Sequence, residues 1–135
     1  MKRVVILIVT AITTGAATAS WACGSCVEDR VAATYDHAVI HTAIAKHQQV
    51  VFVAIDGPAS AEKIDARIMA AASKVRGVKV GTLRTSVAPQ AFSFALDAAV
   101  EPESAVSGFR KAIGDSSAQL TLVRIMRNGA LVESK

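Results

Sequence analysis

The sequence predicts an α+β fold: a β-α-β-β-α-β run with a helix in front and a short edge strand behind. Three observations predict it. Val50–Ile55 is an unbroken β-branched and aromatic stretch, the pattern of a strand buried on both faces. Gln90–Leu96 alternates between small and large residues and joins the preceding stretch through Ala88-Pro89, which argues for an antiparallel hairpin. Apolar residues at helical spacing occupy the two intervals on either side of that hairpin.

The chain opens with a basic head, Met1-Lys2-Arg3, then an apolar run from Val4 to Ile12 and small residues from Thr13 to Ala22. This is the layout of a secretory signal peptide, and the apolar run is shorter than the ~20 residues a membrane-spanning helix needs. Cleavage is expected after Ala22, making Cys23 the first mature residue, with Ala19 as the alternative site. No membrane anchor is expected after cleavage. Ser20 stands where a lipidation signal would carry Leu, which argues against a lipid on Cys23. The expected organisation is a signal peptide (1–22), a CxxC segment with a helix (23–48), and one domain (49–135), exported to a periplasmic or secreted location.

Loss of Lys2 and Arg3 lowers the formal charge from +4 to +2. The remaining cations are scattered, and the few aromatic residues do not alternate with them. No nucleic-acid surface is expected.

Residues 27–47 are predicted as one helix. Val27, Val31, Tyr35 and Ala38 recur at steps of three and four, and Ile40 and Ile44 continue an adjacent stripe. Glu28 and Asp29 suit its first turn, Lys46 and His47 its last. After the strand at Val50–Ile55, Gly57-Pro58 breaks the chain and Ser60 is placed to cap a helix running to about Val75. Its core face is Ile64, Ile68, Ala71, Ala72 and Val75, and Gly77 follows its end. Val78–Val87 is expected as the first hairpin strand, Pro102–Ile113 as the next helix with Pro102 in its first turn and Gly114 at its end. Leu120–Met126 is the last long strand, and Asn128-Gly129 turns the chain into the edge Ala130–Val132.

From Val50 onward this order is the ferredoxin-like plan. A thioredoxin-like fold would need a helix between the strands near Val80 and Phe92 and a strand before the cysteines. Neither has room.

Residues Gly57 to Ile113 resemble a heavy-metal-associated domain, the ferredoxin-like module of copper chaperones and metal-transporting ATPases. The features carrying the resemblance are the turn at Gly57, the helix behind it, and Lys74-Val75-Arg76-Gly77-Val78-Lys79-Val80. Phe92–Asp97 followed by Pro102–Ile113 completes them. The family carries a cysteine pair on the first strand-to-helix turn; here Ser60 and Lys63 fall at those positions. The resemblance implies a fold, and the family's metal site is missing from its usual place.

Cys23 and Cys26 are the chain's two cysteines. Ionised sulfur at a helix N-terminus is favoured by the dipole and by free N–H groups. Soft thiolates at this spacing suit Cu(I), and Zn(II) if two further ligands are supplied. The first expectation is therefore a metal carrier or sensor. Thiol–disulfide exchange by the same pair is the alternative, and a plain structural disulfide is the third, although so short a loop restrains an unfolded chain little. No His follows the pair, so the haem-attachment motif is absent.

His37 and His41 stand four apart, on one helix face, as secondary metal candidates. On a straight helix, residues 26 and 37 lie about 16 Å apart, so joining the two sites would need a homodimer. Ala38 occupies the position where an HExxH protease needs its glutamate. No nucleophile motif or catalytic triad is visible, which leaves a non-catalytic protein-interaction module as the remaining class. The partners expected are thus a metal ion or a protein in the exported compartment.

Overall fold

The structure, a computed structural model, describes residues 26–114 and 116–133. The signal-peptide segment, the cleavage sites and Cys23 lie outside the described residues.

The fold is mixed α+β. Two short helices come first, α1 (Val27–Ala33) and α2 (His37–Ala45), followed by β1 (Gln49–Asp56), α3 (Ala61–Ala72), β2 (Arg84–Val87) and β3 (Gln90–Leu96). Then come α4 (Pro102–Ile113), β4 (Gln119–Arg127) and β5 (Ala130–Glu133). The five strands form one antiparallel sheet in the order β2-β3-β1-β4-β5. No helix among the described residues is long and apolar enough to cross a membrane.

β1 lies at the centre, and the alternation of its residues builds two cores. Val51, Val53 and Ile55 face one way, with Phe92, Phe94 and Leu96 of β3 and Leu120 of β4. There they meet Ile64, Ile68, Ala71 and Ala72 of α3 and Ala105, Val106 and Phe109 of α4. Three phenylalanine rings lock this front core: Phe109 lies with its ring centroid 5.1 Å from both Phe92 and Phe94. On the back face, Val50, Phe52 and Ala54 pack with Ala95, Val123 and Met126 against Val31 of α1 and Ile40 and Ala43 of α2. The uninterrupted apolar run of β1 is thus explained by a helical layer on each side of the sheet.

Local chemistry accounts for the turns. At Gly57, φ is +112° and a Cβ would collide with the Ser117 carbonyl, so only glycine fits between β1 and α3. Asn128 and Gly129 both take positive φ (51° and 81°), the conformation a two-residue hairpin turn demands.

Three expectations require correction. The helix expected over 27–47 is broken. Thr34 turns its hydroxyl back onto the Arg30 carbonyl at 3.2 Å, and Asp36 accepts from the N–H groups of Ala38 (2.9 Å) and Val39 (3.1 Å), starting a new helix. Local side-chain bonds of this kind compete with helix continuation. The strand expected over 78–87 is also shorter. Residues Val80–Thr82 form a 3₁₀ turn, because the Ala95 N–H donates to Thr82 Oγ1 (2.8 Å) instead of to a strand carbonyl. Finally, α3 stops at Ala72, short of Val75, and Ser60 occupies its N-cap without a side-chain capping bond.

Candidate functional site: an exposed thiol beside an apolar groove

α1 is held by its far end. At its C-terminus, Ser93 Oγ donates to the Thr34 carbonyl at 2.7 Å, and Ser93 is buried. The small residues Ala91, Ser93 and Ala95 on the back of β3 leave the room that lets the chain approach this closely. A second tie joins Arg30 Nη2 to Asp56 Oδ1 at 2.7 Å, linking α1 to the end of β1. That hydrogen bond holds the Asp56 carboxyl below its usual range against the opposing effect of burial, and raises Arg30 in turn. Arg30 Nε is buried without a partner among the described residues.

The N-terminal end of α1 carries the candidate site. Cys26 is the N-cap residue, in extended conformation (φ −62°, ψ 147°), and its side chain makes no capping bond. Its thiol is solvent-exposed and free among the described residues. Its carbonyl accepts from the Arg30 N–H at 3.2 Å, so the backbone is ordered into the helix from this residue on. α1 has seven residues, a third of the predicted length. Its dipole is correspondingly small, and Glu28 and Asp29 in its first turn already complement it.

Along α1, starting at the residue after Cys26, runs a groove of about 470 Å³ lined by Val27, Glu28, Val31, Ala32, Tyr35, Arg124 and Leu131. Tyr35 and Leu131 leave 46% and 52% of their surfaces exposed there. Arg124 spans the groove rim with Nη2 at 3.5 Å from both Glu28 and Glu133. It reaches this side because the β1–β4 pairing shifts between Phe52 and Val53, so that Phe52 faces Arg124 while Val53 faces Leu122. A bulge re-aims the residues beyond it. Alternation in the sequence did not reveal this shift, and with it the place of Arg124 was missed.

Ser60 and Lys63, which stand where the resembled family has cysteines, are both exposed. His37 and His41 occupy the first and fifth positions of α2, also exposed, with ring centroids 4.4 Å apart. His47 lies past the helix end at φ 53°. The straight-helix distance between residue 26 and the histidines does not apply, since the chain turns at Thr34–Asp36. No group of three or more His, Cys, Asp or Glu able to hold a metal forms among the described residues, so Cys26 does not join the imidazole pair in one chain.

Asp36 is doubly engaged. Beyond capping α2, it meets Arg84 Nε through Oδ2 at 2.7 Å. The Arg84 hydrogen bond and the capping N–H groups hold its carboxyl below the usual range.

Comparison with protein-family models, curated proteins and solved structures found no match to this chain.

Proposed function

We propose that this protein is exported and binds one soft metal ion, Cu(I) or Zn(II), through Cys23 and Cys26, as a carrier or sensor. The observation that carries the reading is the state of Cys26: an exposed sulfur, free among the described residues, at the tip of a helix whose other end is fixed to the sheet. Such a sulfur is free to enter a ligand sphere, and a second one three positions earlier is spaced to meet it around linear Cu(I). Zinc would draw its remaining ligands from a second copy or a partner.

The reading includes a ferredoxin-like core of the heavy-metal-associated kind. The sheet order β2-β3-β1-β4, antiparallel throughout, and the packing of α3 and α4 on one face support it. The helices α1 and α2 then cover the face opposite. The metal pair would have moved from the β1–α3 turn, where Ser60 and Lys63 stand, to the leading end of the chain.

Competition titration of the reduced, processed protein with Cu(I) tests this. One equivalent is expected to bind, and Cys23→Ser, Cys26→Ser and the double change should each abolish tight binding. Unaltered binding in the double variant removes the proposal.

The groove along α1 favours a second reading, a protein-interaction module. In that case Tyr35→Ala and Leu131→Ser would abolish capture of a partner while both cysteine changes leave it intact. Thiol–disulfide exchange stands as the redox alternative; a pair with a reduction potential below about −300 mV would be an inert disulfide instead.

A further inference from the structure

We propose that His37 and His41 form a separate two-imidazole chelate for a borderline divalent cation, with Cu2+ bound most tightly and Ni2+ and Zn2+ more weakly. The ring centroids lie 4.4 Å apart with the planes tilted by 42°, close enough for one ion to reach a nitrogen of each after small rotations of the side chains. Imidazole suits these three metals, and the order follows their general affinity for nitrogen ligands.

The helix makes the pair rigid. Ile40 and Ala43 anchor α2 in the back core, Val39 is buried beside them in sequence, and Asp36 ties down the first turn through the Ala38 and Val39 N–H groups. Both imidazoles are therefore presented from a fixed backbone, and their exposure leaves the remaining coordination positions to water. Asp36 is occupied by Arg84 and by the cap, so it is not the third ligand. The positive end of the α2 dipole opposes a cation at His37. That effect lowers affinity by less than about tenfold.

The site uses nitrogen ligands and asks nothing of the cysteines, so it stands or falls apart from the proposed thiol site. The test accordingly uses the processed chain with Cys23→Ser and Cys26→Ser, titrated with CuCl2 and followed by electron paramagnetic resonance and by competition. One Cu2+ should bind with nitrogen hyperfine splitting. His37→Ala and His41→Ala should each weaken it by more than the ~10–100-fold that loss of a mere supporting group around a metal costs. His47→Ala should leave it unchanged, and unaltered far-ultraviolet circular dichroism should show that α2 is intact in every variant. Bound Cu2+ should also raise the thermal midpoint of the parent and not of the His37→Ala, His41→Ala double variant. Absence of Cu2+ binding in the cysteine-free chain overturns the inference. So does binding that survives the double histidine change, or a loss equal in His47→Ala.

Discussion

The two faces of the sheet are built from the same strands by different means. On the front, α3 and α4 pack with three phenylalanines and a dozen other buried side chains, and apolar packing dominates beside one tie from Arg110 to the Leu120 carbonyl. On the back, the apolar cluster is smaller, and α1 and α2 are tied down by named polar contacts: Ser93 to Thr34, Arg30 to Asp56, Asp36 to Arg84. The candidate residues Cys26, His37 and His41 all ride on the back layer. A layer fixed at a few points can hold exposed side chains in place without enclosing them, which a dense core cannot do.

The sharpest way to break this contrast is from the front. Phe109→Ala should cost about 3–5 kcal/mol, a large share of the ~5–15 kcal/mol total stability of a small domain. Denaturant unfolding should show both layers losing structure together. Ala95→Leu, overfilling the back core at a fully buried position, should cost less, about 1–3 kcal/mol. Its effect should be local, with amide exchange accelerating in residues 27–45 more than in 61–72.

Asp36→Ala removes two capping bonds and the Arg84 partner and should cost about 0.5–2 kcal/mol, again confined to α2 by exchange. Acid sharpens the comparison further. Asp36 and Asp56 are both held below their unfolded range, so their contribution is present above the unfolded carboxylate value of about 3.9. It is lost as pH falls through the lower folded values. Exchange in the back layer should therefore speed up below about pH 4 while the front remains protected. An Asp36→Asn, Asp56→Asn double variant should lose most of that difference. The smallest effect belongs to Arg124→Ala, whose exposed ion pairs with Glu28 and Glu133 should be worth no more than about 1 kcal/mol.

The elements legible in the sequence were those written in local pattern: the apolar run of β1, the small-large alternation of β3, Pro102–Ile113 between proline and glycine, and the Asn128-Gly129 turn. Each is determined by residues a few positions apart. What escaped was decided by side chains bonding to distant or neighbouring backbone. Thr34 and Asp36 end one helix and start the next, although an Asp in mid-pattern is a capping signal that periodicity outweighed. Thr82 takes an N–H from β3 and shortens β2. A shift in the β1–β4 pairing turns Arg124 toward α1, and Ser93 pins α1 to the sheet from 59 positions away. At the candidate site, the sequence supplied the cysteine pair and the histidine pair as candidates. The placing of Cys26 beside an apolar groove, and its separation from the imidazole pair by a turn, needed the fold.

The most direct test of the central claim is X-ray absorption on the reduced, processed protein loaded with one equivalent of Cu(I). Nearest-neighbour scattering from sulfur alone, lost when Cys23 and Cys26 are both serine and unmoved when His37 and His41 are both alanine, is the result expected. A nitrogen- or oxygen-dominated sphere that persists in the cysteine-free protein would contradict it.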